Sequence, residues 1–131
     1  MIAGVGYEGV TVDALVADLV ERRIELVVDV RLNALSRKRG FSRRALSAAL
    51  DAAGIGYRHE PTLGNPRDNR DGFRAGDAAA MEVMQARLAT VGAEAMARLE
   101  RDAREHRVAV LCFERDEERC HRRMILGRSR S

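Results

Sequence analysis

Four short, almost uninterrupted apolar runs punctuate this chain, and helical periodicity lies between them. "IAGVGY" (Ile2 to Tyr7) is the first run, and Val12, Leu15, Val16, Leu19 and Val20 follow at the spacing of one helix face. "IELVVDV" (Ile24 to Val30) is the second, followed by the stripe Ala45, Leu46, Ala49 and Leu50. "GIGYRHE" (54–60) and "RVAVLCF" (Arg107 to Phe113) are the third and fourth. Apolar runs of this kind suit strands covered on both faces. Alternation with helices predicts an α/β fold: a doubly wound, mostly parallel sheet of about four strands with helices on both faces. With 131 residues and no linker or repeat, one domain is expected.

Capping residues mark the helix boundaries. Thr11 is placed to cap the first helix, with Asp13 in its first turn, and Ser42 to cap the second, which Gly54 ends. "PTLGNPRDNRDGFRAGD" (Pro61 to Asp77) is expected to be a long loop, and long ordered loops are often functional. Asp77 is placed to cap "AAAMEVMQARLA", "TVG" to break it, and Met96, Leu99 and Ala103 share a face of the next helix. Asp116 is expected to cap a last helix, with Glu117 and Glu118 early and Arg122 and Arg123 later, the order favoured by the helix dipole.

Several classes of protein are disfavoured. No stretch reaches the ~18–20 apolar residues of a membrane span, and "MIAGVGYEGV" lacks the basic and apolar regions of a signal peptide. Two cysteines do not make a secreted disulfide framework, so a reduced, cytoplasmic setting is expected. Net charge is +3, and Lys38 is the only lysine among the basic residues. Arginine suits phosphate recognition, although an Arg- and Ala-rich composition accounts for most of these residues.

In a doubly wound sheet, ligands bind beyond the carboxyl ends of the strands. The first strand ends in "GYEG", which places Tyr7 and Glu8 between glycines. "GVGYEG" has bare dinucleotide-fingerprint spacing, but no acidic residue closes the second strand at the ribose position. That strand ends in "VDVRLN", where period two puts Asp29, Arg31 and Asn33 on one face. Two readings stand: an internal ion pair, or an Arg31 that holds a ligand anion while Asp29 orients it. "SRKRGFSRR" clusters Arg37, Lys38, Arg39, Arg43 and Arg44 near a helix N-terminus, which suggests a phosphate-bearing partner. Nucleic acid has weaker support, because two Tyr and three Phe offer no evident stacking platform.

The fourth strand ends in "LCFE", with Cys112 and Glu114 on one side, and Cys120, His121 and Arg122 follow. A thiol near a helix N-terminus and beside Arg or His⁺ is activated as a nucleophile or redox group, which makes Cys120 the candidate. Cys112 reads first as a small buried apolar residue, as free Cys commonly is, and for Cys120 the reactive and the merely structural readings both stand. Zinc through Cys112, Cys120, His121 and the distant His59 is disfavoured: paired-ligand spacing is absent, and neighbours such as Cys120 and His121 diverge on a helix. No resident metal is therefore expected, and the cofactor is left open. A transient divalent cation held by Glu8, Asp29 or Glu114 with a substrate phosphate is more plausible.

In order along the chain, "GYEG", "VDVR", "SRKRGF", "LGNP", "LCFE" and "CHRR" resemble the DUF488 family of uncharacterised bacterial and archaeal α/β proteins. The resemblance implies a small α/β fold with its motifs at one end of the sheet. It carries Tyr7, Glu8, Asp29, Arg31, Cys112, Glu114, Cys120, His121 and Arg122 over as motif positions and implies no established activity. Two departures stand out. Ala34 and Leu35 occupy the loop where members often have proline, and "ILGRSRS" ends the sequence where members often add a strand, so either a C-terminal edge strand is absent or the chain is shortened.

Three functional readings follow, and whether the chain is an enzyme stays open among them. The first is an enzyme or binder of a phosphate-bearing, nucleotide-like small molecule. Tyr7, Arg31, Asn33, Arg37, Cys112 and Arg122 would bind it, with Glu8, Asp29, Glu114, Cys120 and His121 in catalytic roles. The second is a thiol redox or sensing protein using Cys112 and Cys120. The third is a noncatalytic module that binds nucleic acid or a partner through the basic loop. No membrane association is expected, and oligomeric state is open.

Overall fold

The computed structural model describes residues 1–115 and 120–130. Strand β1 (Ile2–Gly6) leads through helix α1 (Val12–Glu21) to β2 (Leu26–Asp29), then through α2 (Arg43–Ala52) to β3 (Gly56–His59). Helices α3 (Arg70–Arg74), α4 (Ala78–Ala89) and α5 (Ala93–Glu105) come next, followed by β4 (Val108–Cys112) and α6 (Arg122–Arg130). The sheet order is β1-β4-β2-β3, and every pair is parallel. Strand β4 thus lies between β1 and β2, with Val108 in register with both Ile2 and Leu26.

All five residues of β4 are buried, and period two divides them between two cores. Val108, Val110 and Cys112 pack with Met84, Leu88, Leu99 and Ile125 of α4, α5 and α6. Ala109 and Leu111 pack on the other face with Leu15, Leu19, Leu46 and Leu50 of α1 and α2. Helices therefore cover both faces, as the unbroken apolar run "VAVLC" requires. Each fully buried Leu contributes about 1.5–3 kcal/mol, so the two stripes are the main attraction holding helices to sheet.

Local chemistry sets most boundaries as the sequence suggests. The Thr11 hydroxyl accepts a hydrogen bond from the Ala14 N–H at 3.1 Å, and the Asp77 carboxylate accepts one from Ala79 at 3.0 Å. Gly54 closes α2 with φ of +75°. Ser42 precedes α2 but makes no side-chain cap. The Arg43 N–H instead donates to the Ala34 carbonyl at 2.8 Å, so the preceding loop satisfies the helix start. At the end of α1, Arg23 takes the left-handed turn at φ 59° that glycine usually takes.

Residues 61–77 are more ordered than an open loop. They form single helical turns at Pro61–Leu63 and Arg67–Asn69, then the short α3. Leu63 and Phe73 anchor the segment in the core, and the Asn69 amide donates to the Asn65 side chain and the Ala80 carbonyl. The expected cap Asp116, with Glu117 and Glu118, lies outside the described residues. Cys120 was expected in the first turns of the last helix, but α6 begins at Arg122, so both Cys120 and His121 precede it.

Candidate functional site

The carboxyl ends of β1, β2 and β4 open into a cleft of about 240 Å³. Tyr7, Arg31, Asn33, Asn65, Arg70, Arg74, Cys112, Glu114 and His121 are among its lining residues. Cys112 is the last residue of the central strand β4, which puts its sulfur at the cleft floor. Cys120 and Arg122 are buried just beneath.

A buried ion pair organises one wall. Asp29 is fully buried at the end of β2, and Arg31 is only 7% exposed. The Arg31 guanidinium donates to both Asp29 oxygens, at 2.8 and 2.6 Å, and its backbone N–H donates to the same carboxylate at 3.1 Å. The Tyr57 hydroxyl is a fourth donor to Asp29. Burial works against the charge on Arg31, but the Asp29 hydrogen bonds and charge outweigh it and raise the pKa above the usual arginine value. Burial, reinforced by the Asp29 carboxylate, raises that of the Tyr57 phenol. The second arm of Arg31 reaches the Tyr7 hydroxyl at 3.3 Å and the Phe41 carbonyl at 2.5 Å. Tyr7 stacks on Phe41 at 4.4 Å and meets Phe113 edge-on. One guanidinium thereby joins "GYEG", "VDVR" and "SRKRGF". The internal ion pair of the sequence reading is present, and it occupies most of the Arg31 donors.

Two glycines are needed for close approach. A Cβ on Gly6 would fall 1.9 Å from the Glu114 carbonyl oxygen, and one on Gly64 would fall 2.5 Å from Leu32 backbone atoms. These contacts press "GYEG" onto "LCFE" and "LGNP" onto the segment after β2.

The two cysteines meet at the cleft floor. Cys112 and Cys120, eight residues apart, are joined by a disulfide. Their surroundings differ. Cys112 Sγ lies 3.6 Å from the Glu114 carboxylate, which also accepts from Arg74 at 2.8 Å. Cys120 Sγ faces the Arg122 Nε at 3.4 Å and the Arg122 backbone N–H at 3.5 Å, at the start of α6. The Arg122 guanidinium also donates to the Glu114 carbonyl at 2.5 Å. His121 Nδ1 lies 3.6 Å from Cys120 Sγ, and its Nε2 lies 2.8 Å from the Val30 carbonyl. Burial pushes the His121 pKa down to about 4, so the ring is neutral at pH 7. Its Nε2 then carries the proton and donates to Val30, which leaves a lone pair on Nδ1 aimed at the sulfurs.

The divergence expected of Cys120 and His121 does not occur, because neither residue belongs to the helix. Their ligating atoms and that of Cys112 all lie within 4.8 Å of one another. His59 is not part of this group; its Nε2 meets the Arg31 carbonyl at 2.7 Å.

A family description, "Domain of unknown function DUF488", matches residues 11–128. The chain belongs to this family. Comparison with curated proteins and with solved structures finds no match. In this DUF488 member, "GYEG", "VDVR", "LGNP", "LCFE" and "CHRR" all contribute residues to the cleft or to its immediate support.

The remaining expected site residues lie further out. The Glu8 carboxylate accepts from the Arg115 N–H at 3.1 Å at an exposed position. Arg37 is exposed and is not among the lining residues. Lys38 turns its ammonium to the Tyr7 carbonyl at 3.1 Å, and Arg43 and Arg44 line a separate concavity beside α2 and β3. The basic cluster therefore does not act as one unit on the cleft. The cleft's other cations are Arg70 and Arg74, which the sequence reading did not single out. Their spacing of four within "RDNRDGFR" was the available signal, since it puts both on one side of a helix.

Proposed function

We propose that this DUF488 protein is a thiol–disulfide redox protein whose working pair is Cys112 and Cys120. One observation carries the reading: the chain's two cysteines meet at the floor of the strand-end cleft, in unlike electrostatic settings. Cys112 lines the cleft beside a carboxylate, and Cys120 lies behind it, against the Arg122 guanidinium and the start of α6.

That asymmetry assigns a direction to the exchange. A partner thiolate enters the cleft and attacks Cys112 Sγ. A mixed disulfide forms, the Cys112–Cys120 bond breaks, and its electron pair leaves on Cys120 as a thiolate. The Arg122 guanidinium and N–H favour that thiolate, and a stabilised leaving thiolate departs faster. A second partner thiolate then attacks the mixed disulfide and releases Cys112. In sum the partner loses two electrons and becomes a disulfide while the protein becomes a dithiol. The reverse reaction reduces a partner disulfide.

Equilibration with defined ratios of reduced and oxidised glutathione tests this, with maleimide labelling to count free thiols. The wild type should switch reversibly between zero and two free thiols, and Cys120→Ser should trap glutathione on Cys112. A pair that stays in one state across the whole glutathione range refutes the reading.

A second reading has specific support. Arg31, Arg70 and Arg74 all line the same cleft, which suits a phosphate-bearing small molecule. A nucleotide and inorganic phosphate panel read by melting shifts tests it. It fails when nothing stabilises the wild type, or when Arg70→Ala/Arg74→Ala responds as the wild type does.

A further inference from the structure

We propose that the dithiol form of the site is a binding site for a thiophilic d¹⁰ cation, zinc(II) in the first instance, held by Cys112 Sγ, Cys120 Sγ and His121 Nδ1 with a fourth position open to the cleft. This rests on the redox reading in one respect: the cysteines must be reducible, because a disulfide does not ligate zinc. Oxidation and metal binding then compete for the same sulfurs.

Three observations carry it. The first is the His121 ring. Its Nε2 is 2.8 Å from the Val30 carbonyl, a contact that fixes the ring plane and leaves Nδ1 as the ligating atom. A histidine that ligates metal through one nitrogen characteristically donates its other N–H to a backbone carbonyl or carboxylate. The second is distance. A tetrahedral zinc with Zn–S near 2.3 Å and Zn–N near 2.05 Å sets S···N at about 3.6 Å. Cys120 Sγ and His121 Nδ1 already stand 3.6 Å apart. The third is the convergence of all three ligating atoms within 4.8 Å, on buried residues.

The dithiol needs only a local adjustment. A disulfide holds its sulfurs about 2.05 Å apart, and two thiolates on one tetrahedral zinc stand ~3.8 Å apart. The sulfurs must therefore separate by about 1.7 Å. Cys112 has room for this, because it borders the cleft, whereas Cys120 is enclosed by Arg122 and His121. Three protein ligands and an open fourth position are the pattern of reactive rather than purely structural zinc sites. Here that position faces Glu114 and the cleft, where water or an incoming thiolate completes the set.

The test uses full-length protein, reduced and freed of metal without oxygen, then titrated with cobalt(II) and competed with zinc(II). The expected result is one cobalt per chain with thiolate-to-cobalt charge-transfer absorption and tetrahedral visible bands, displaced by equimolar zinc. Zinc should also protect both wild-type thiols from maleimide, a readout that needs no variant. His121→Gln keeps an amide near the Val30 carbonyl and removes the ligand, so zinc affinity should fall at least about tenfold. Reduced wild type that takes up no cobalt and gains no zinc protection overturns the metal site and leaves the redox reading standing. Binding unchanged in a folded His121→Gln overturns the ligand set. A pair that no dithiol reduces in the folded protein overturns both readings.

Discussion

Replacing Arg122 with methionine should make the cysteine pair more reducing. Methionine keeps most of the apolar volume at a site where the arginine is 1% exposed, and it removes the guanidinium that stands 3.4 Å from Cys120 Sγ. In the dithiol state that contact becomes a charge-assisted hydrogen bond to a thiolate, in the range of about 1.5–3 kcal/mol. Only the reduced form gains it in full, so its loss penalises reduction. For a two-electron couple about 30 mV corresponds to 1.4 kcal/mol, so the potential should fall by roughly 30–65 mV. The assay is a glutathione titration on folded protein, at a pH where the thiolate prevails. Arg122→Lys, which restores a cation without the planar fork, should fall between the two. The substitution also leaves the Glu114 carbonyl without the guanidinium donor, so a stability loss of about 1–3 kcal/mol should accompany it. A methionine variant that folds and shares the wild-type potential within ~10 mV would refute the assignment of Cys120 as the stabilised leaving thiolate.

Arg31→Ala should cost about 3–5 kcal/mol in denaturant unfolding, because it strips most donors from the fully buried Asp29 carboxylate. A loss below about 1 kcal/mol would show that the pair is not the organising contact. The metal-free, oxidised protein should lose roughly 3 kcal/mol as pH falls from 6.5 toward 4, because His121 must gain a proton to which its folded site, at about 4, is closed. The depressed folded value means the contribution is complete above pH 6.5; urea melts of His121→Gln should lack that slope, and an identical slope in both proteins counts against it. Gly6→Ala should be severely destabilised or insoluble, since its methyl meets backbone oxygen at 1.9 Å, and a variant that melts normally would contradict the close packing of β1 on residue 114. Arg23→Gly should gain about 0.5–1 kcal/mol in thermal melts by relieving a left-handed arginine, and a net loss would argue that the arginine side chain matters more than its backbone.

The sheet was legible because its strands are buried on both faces, which writes an apolar run such as "VAVLC" into the chain. Thr11 and Asp77 were legible because their caps are local. Ser42 was not, since the N–H after it is satisfied by Ala34, a contact that spacing does not encode. Residues 61–77 read as a loop because single turns and the five-residue α3 are too short to show periodicity. At the cleft, the motif positions gather at the carboxyl end of the sheet, which is where parallel topology collects strand ends. The pairing of Cys112 with Cys120, and the turn of His121 toward both, depend on where α6 starts. The sequence places that start just after Asp116, whereas α6 begins at Arg122, and this shift decides whether the adjacent side chains of Cys120 and His121 diverge or converge.

The place of β4 bears on how the molecule comes into being. Residues 2–6 and 26–29 are made early, yet they are not neighbours, and the strand that joins them is Val108–Cys112. During synthesis the emerging chain can pair β2 with β3, but β1 waits for a partner about a hundred residues away. Closing contacts of such separation slow folding. The residues from Val108 onward then deliver the central strand, both cysteines and the helix start that faces them. The cysteine pair and the completed sheet should therefore appear together. A nascent chain arrested before Val108 would carry neither cysteine, so premature oxidation of the pair cannot precede the arrival of the strand that positions it.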